Sequence, residues 1–148
     1  MATTERSAAP ALEIRRTFAS PPQRVNEAWT DPKALTRWFG PSDDFTVVVH
    51  ELDLRVGGTY RIELRDPSGA AHTATGTYRE LRAPHRLAFT WRWAERPEMK
   101  DTLVTIDLTA RDGGTELRLA HTQFESDEDR GNHEKGWQGC LDRLSRLG

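Results

Sequence analysis

From Phe45 to His121 apolar and polar residues alternate almost without a break, and only clusters of turn-forming residues interrupt them. A period of two puts every second side chain on the same face of a pleated strand, so this stretch can build a sheet with one apolar and one polar face. The spacing predicts strands at roughly 45–53, 58–65, 71–82, 85–93, 102–110 and 115–121. They are separated by Arg55-Val56-Gly57-Gly58, Asp66-Pro67-Ser68-Gly69, Ala83-Pro84, the Glu95 to Lys100 loop and Asp112-Gly113-Gly114. Neighbours joined by such short turns are antiparallel. A sheet with one apolar face needs a cover, which the rest of the chain must supply.

The cover is at the C-terminal end. His133, Trp137, Cys140, Leu141, Leu144 and Leu147 recur at spacings of three and four, the signature of one apolar helical face. Ser126 through Asp129 reads as a capping box, and Arg143 and Arg146 near the far end suit the helix dipole. At the other end, Leu12, Ile14 and Phe18 alternate with polar residues and predict a strand over 12–18. Ser20-Pro21-Pro22-Gln23 predicts a helix capped by the serine hydroxyl and running to about Trp29. Thr30-Asp31-Pro32 repeats the signal, and Gly40-Pro41 stops the second helix just after Trp38 and Phe39. The expected fold is α+β: a curved antiparallel seven-stranded sheet wrapped around a long C-terminal helix, with two short helices after the first strand. Residues 11–148 form one domain behind a loose tail over 1–10, which lacks the basic start and apolar run of a signal peptide.

Charge and composition narrow the function. The 21 basic and 23 acidic residues leave a formal net charge of −2, so neither nucleic acid nor an anionic membrane is an expected partner. No stretch has the apolar length of a membrane span. A single cysteine, Cys140, forms no internal disulfide and points to a reducing, cytoplasmic setting. On the inner helix face, its expected role is packing. The chain lacks G-x-G-x-x-G, G-x-x-x-x-G-K-[ST] and G-x-S-x-G, and His133-Glu134 is followed by Trp137 where a zinc-protease helix needs its second histidine. No cofactor or metal is called for.

The predicted inner face is strongly aromatic. Leu87, Phe89, Trp91 and Trp93 share it in one strand, with Arg86, Thr90 and Arg92 opposite; Tyr60 and Ile62 join from another, Tyr78 from a third, and His121 from the last. The polar atoms of Tyr60, Tyr78 and His121 need partners if buried, and an aromatic wall with a few convergent polar groups is also how a small-molecule pocket is built. Glu51 and Asp53 lie two apart before a glycine pair; a carboxylate pair can share acid and base roles, but beside Arg55 and a Gly-Gly turn they are read as turn-fixing or solvated groups. Glu80 is placed on the face of Tyr78, near a strand end. His121 is read first as a satisfied core histidine, and it is the residue best suited to proton transfer if the site has one.

Asp31-Pro32 with Leu35, Trp38-Phe39-Gly40-Pro41, the run Glu51 to Arg61, Gly76-Thr77-Tyr78-Arg79-Glu80-Leu81, Phe89-Thr90-Trp91 and finally His133, Gly136-Trp137 and Leu141 together resemble one family. It is the SRPBCC superfamily, also called START-like or birch-pollen-allergen-like, in the branch homologous to the activator of the heat-shock-chaperone ATPase. The resemblance implies the helix-grip fold and a cavity between sheet and terminal helix that takes hydrophobic ligands; some members are polyketide cyclases or aromatases. It leads to a binding module for a small apolar or aromatic molecule. Trp38 and Phe39 would flank the entrance, Tyr60, Ile62, Tyr78, Phe89, Trp91, Trp137 and Leu141 would form the walls, and His121 would supply a polar contact. A cyclase-like enzyme using the same cavity is the alternative. Eukaryotic chaperone activators carry an extra N-terminal domain for which this chain has no room, so chaperone contact is not expected; a homodimer through a sheet edge stays open.

Overall fold

The computed structural model describes residues 10–147; the tail expected over 1–10 lies outside them except for Pro10. The elements follow the predicted order: β1 (Leu12–Phe18), α1 (Pro22–Thr30), α2 (Pro32–Trp38), β2 (Thr46–Leu52), β3 (Thr59–Arg65), β4 (Ala71–Arg82), β5 (Arg86–Trp93), β6 (Thr102–Arg111), β7 (Gly114–Thr122) and α3 (Asp127–Arg146). The sheet runs β1-β7-β6-β5-β4-β3-β2, antiparallel throughout. From β2 to β7 it is a meander, because each hairpin is too short to reach anything but its neighbour. At the tightest hairpin Asp112 and Gly113 take φ values of 52° and 82°, the left-handed pair that matches strand twist in a two-residue turn. The α1–α2 excursion carries the chain from β1 at one edge to β2 at the other, and α3 closes the apolar face.

Helix termini follow local chemistry with one correction. The Asp31 carboxylate accepts from the Lys33 N–H at 3.1 Å and caps α2, and Ser126 Oγ accepts from the Asp129 N–H at 3.1 Å and caps α3. Ser20 does not cap α1: Pro21 is the extended residue before the helix, and the Ser20 carbonyl instead accepts from the Thr115 hydroxyl at 2.7 Å. A proline disfavours helical backbone in the residue before it, so the Pro-Pro pair leaves Ser20 one position too early. Leu147, assigned to the apolar face of the last helix, lies just past α3 and is exposed.

Bulges change two faces. Between Val49 and Glu51 the register of β2 slips, so Glu51 faces Arg61 across the ladder and accepts from the Thr59 hydroxyl at 2.7 Å, while Asp53 pairs with Arg55 in the following turn. In β4 a slip between Tyr78 and Glu80 pairs Tyr78 with Phe89 but Glu80 with Ala88. Glu80 is therefore turned off the face of Tyr78, a correction to the alternation, and bonds Arg86 at 2.9 Å on the outer surface. Thr90, expected outside with Arg86 and Arg92, is buried, because its hydroxyl accepts from the Thr77 N–H at 2.8 Å where the β4–β5 ladder lacks a backbone pair. The outer face carries linked ion pairs: Glu13 with Arg118, Arg118 with Asp107, and Asp107 with Arg86.

Candidate functional site

Between the sheet and α3 lies a cavity of about 260 Å³. Leu64 of β3 and Trp91 and Trp93 of β5 form its sheet side; Gly136, Trp137 and Cys140 form its helix side. Phe39 and Pro41 from the α2–β2 connection and Phe45 close one flank, while His72, Asn132 and His133 supply the polar atoms. The three indoles come together because β5 places alternate residues inward and α3 lays Trp137 over them: Trp91 sits 5.3 Å from Trp93 and 5.1 Å from Trp137 between ring centroids.

The connection after α2 is pinned to α3. Arg143 donates to the carbonyls of Gly40 at 3.3 Å and Arg37 at 3.1 Å and pairs with Asp43 at 3.1 Å, and Arg146 pairs with the same aspartate. These arginines thus bridge two elements in addition to lying at the negative end of their own helix. Contact is closest at Gly139, where a Cβ would stand 2.2 Å from the Pro41 carbonyl oxygen. The Gly40 N–H points at the Cys140 sulfur at 3.3 Å, and burial pushes the Cys140 thiol up to about 12. It is not ionised near neutral pH and so is a poor nucleophile.

Both buried histidines are fully committed. Thr102 has one hydroxyl proton and donates it to the Trp91 carbonyl at 2.7 Å, so His121 Nε2, 2.7 Å from the same oxygen, must be the N–H. His121 Nδ1 is then the acceptor for the Trp137 indole N–H at 3.0 Å. Burial, with the neighbouring His133 adding to it, pushes His121 down to about 2. His133 donates from Nδ1 to the Asp129 carbonyl at 2.8 Å and accepts from the Trp93 indole at Nε2, 3.1 Å away; burial lowers it as well. Neither imidazole has a nitrogen left for a substrate proton. Among the described residues no group of three or more His, Cys, Asp or Glu could hold a metal ion.

Of the ten residues expected at the site, Phe39, Trp91 and Trp137 line this cavity. Trp38 is instead fully buried, donating to the Ala28 carbonyl at 2.9 Å. Tyr60, Ile62, Tyr78 and Phe89 border a separate void of only about 20 Å³, room for roughly one water. The Tyr60 hydroxyl donates to the Thr90 carbonyl at 2.5 Å, and burial raises Tyr78 to about 12. Trp29 and Trp91 also border that void, and their indole N–H groups are buried without a partner among the described residues. His121 and Leu141 are buried in the core and line neither space.

Several lining residues went unassigned. Trp93 was on the inner-face alternation, and His133, Gly136 and Cys140 stand three and four apart along the helix that carries Trp137, so pattern alone could have found them. Pro41 sits in a connection without periodicity, and Phe45, at the start of the predicted 45–53 strand, lies just before β2. His72 is opposite Leu64 in the β3–β4 register, a pairing visible only once the hairpin is aligned.

A long helix gripped by a seven-stranded antiparallel sheet, with a cavity between them, defines the helix-grip class of α+β proteins. The profile of the family described as "Activator of Hsp90 ATPase homolog 1-like protein" matches residues 19–148, and the chain belongs to that family, the AHSA-type branch of the SRPBCC superfamily. Protein CV1439 from Chromobacterium violaceum is 32% identical, with a TM-score of 0.85 over 93% of this chain and 95% of that one. CalU16 from Micromonospora echinospora is 28% identical, with a TM-score of 0.69 over 92% of this chain and 74% of that one. The AHSA1 protein from Silicibacter pomeroyi shares the fold at 23% identity, TM-score 0.81, over 93% and 96% of the two chains. No protein of curated function matches the sequence.

Proposed function

We propose that this protein binds a small, largely aromatic molecule in the cavity between the sheet and α3. The observation that carries the reading is the cavity itself, about 260 Å³ walled by Trp91, Trp93 and Trp137. That volume lies just under the roughly 300 Å³ at which drug-sized sites begin, so the occupant is about the size of one or two fused rings. Aromatic walls favour such a ring by edge-to-face contact as well as by apolar burial. The single, buried Cys140 is consistent with a reducing, cytoplasmic setting.

The alternative of a cyclase-like reaction driven by His121 has no geometric support, because both of its nitrogens are bonded within the core.

Native mass spectrometry against the denatured mass, with identification of released small molecules, tests the binding reading. It is joined by titration of tryptophan fluorescence with 2-methoxynaphthalene. The expected result is a co-purifying aromatic or saturable quenching, lost in Gly136→Leu. Gly136 lines the cavity and a Cβ there meets nothing within 4 Å, so the added leucine side chain is expected to fill cavity space. No co-purifying molecule together with no saturable quenching overturns the reading.

A further inference from the structure

We propose that His72, held by Asp66, is the hydrogen-bond acceptor of the cavity and selects ligands that present a phenol-like hydroxyl. The inference rests on the ligand-binding reading above and specifies the ligand's chemistry. The β3–β4 register pairs His72 with the cavity residue Leu64, which puts both side chains on the inner face, and the imidazole forms part of the cavity wall next to Trp93, 6.4 Å between ring centroids.

Asp66 dictates which imidazole nitrogen is free. Its Oδ1 accepts from the Ser68 N–H at 2.9 Å, the Ser68 hydroxyl at 2.6 Å and the Ala70 N–H at 3.0 Å, so the turn between β3 and β4 is wound around one carboxylate oxygen. Oδ2 is left facing His72 Nε2 at 3.0 Å. The bonds from Ser68 and His72 hold the Asp66 carboxyl well below the usual carboxylate range, and an ionised carboxylate only accepts. In the neutral imidazole the proton therefore sits on Nε2, and Nδ1 carries a lone pair that no described residue engages. Of the other titratable groups in the wall, His133 has both nitrogens bonded and Cys140 is a buried, protonated thiol. A ligand hydroxyl entering the cavity thus finds in His72 an acceptor oriented by a carboxylate behind it, as in other carboxylate–imidazole pairs, whereas the amide of Asn132 in the same wall has no such partner among the described residues.

Matched probes separate the two levels of the argument. 2-Naphthol and 2-methoxynaphthalene have the same ring system, and only the first donates a hydrogen bond. Fluorescence titration of the full chain is expected to show 2-naphthol binding about tenfold tighter. His72→Leu removes the acceptor and is expected to abolish the preference, read as the ratio of the two affinities in the same variant. The His72 side chain is half-exposed, so the fold does not depend on it. Asp66→Asn supplies an independent arm. The variant's amide oxygen keeps the turn while its NH₂ donates to Nε2, which moves the imidazole proton to Nδ1 and turns the acceptor into a donor, so the preference is again lost. Equal affinities in the unsubstituted chain, or a preference that survives His72→Leu, overturn the inference while leaving the cavity reading standing. Failure of both probes to bind overturns the cavity reading and this one with it.

Discussion

The indole N–H of Trp137 donates to Nδ1 of His121 across 3.0 Å, tying the middle of α3 to the inner face of β7. The bond requires a neutral imidazole, and burial keeps it neutral, with the folded value pushed down to about 2 against 6.5 for a free imidazole. Below 6.5 the unfolded chain takes up a proton that the folded chain refuses, so this contribution to stability is complete above 6.5 and is lost as pH falls toward 2. Urea midpoints measured from pH 7.5 to pH 5 should show a loss of roughly 2 kcal/mol, at about 1.4 kcal/mol per pH unit once below the free value. His133, also lowered by burial, pushes in the same direction. A flat profile across that range would show that His121 is not held as described.

Gly76 and Tyr60 form one device. They face each other in the β3–β4 register, and a Cβ at Gly76 would stand 1.9 Å from the Thr90 carbonyl oxygen and 2.8 Å from the Tyr60 hydroxyl that donates to it. Gly76→Ala must spread β4 from β5 and is expected to cost more than about 3 kcal/mol in chemical denaturation. Tyr60→Phe loses only the hydrogen bond and strands a buried carbonyl, at a cost of about 1–3 kcal/mol. A smaller loss for Gly76→Ala than for Tyr60→Phe would contradict the close approach.

Two glycines of α3 should respond to alanine with opposite signs. A Cβ at Gly131 meets nothing within 4 Å, so Gly131→Ala should stabilise by about 1 kcal/mol through helix propensity alone. The same change at Gly139 drives a Cβ to 2.2 Å from the Pro41 oxygen, and the loss should exceed that gain. Thermal unfolding of the two variants decides it. A stabilised Gly139→Ala would mean that the α2–β2 connection does not pack against the helix as seen.

Arg143 and Arg146 both reach Asp43, yet their roles differ. The Arg143 side chain is 11% exposed and holds two backbone carbonyls, whereas that of Arg146 is 61% exposed. Arg143→Met should destabilise by about 1–2 kcal/mol, chiefly from the lost bond to the partly buried Gly40 carbonyl, the bond to Arg37 being exposed, and Arg146→Met should barely move the denaturation midpoint. Equal effects would place the attachment of the connection in the surface ion pair instead.

Most of the fold was legible because hairpins and amphipathic periods are local. The alternation around Leu87, Phe89 and Trp91, the Asp112-Gly113 turn and the 133–144 helical face each depend on residues only a few positions apart. Ser20 misled because its capping pattern is spoiled by its own neighbours, Pro21 and Pro22. Glu80 misled because a single extra residue in β4 reverses every face beyond it, and nothing in the alternation marks Arg79 as that residue.

By itself the sequence determined a seven-stranded antiparallel sheet, a covering helix, a strongly aromatic inner face and the family to which the chain belongs. Only the tertiary structure decided which aromatics are filler and which are wall. Tyr60, Tyr78 and Phe89 share their face with Trp91, but α1 and α2 press Trp29 and Leu35 against the end of the sheet where they lie and leave about 20 Å³ there. Where α3 presents Gly136 and Cys140 to the sheet, small side chains leave about 260 Å³. Periodicity reports the direction in which a side chain points, whereas a cavity depends on the summed volume of residues from distant parts of the chain, and that sum exists only after packing.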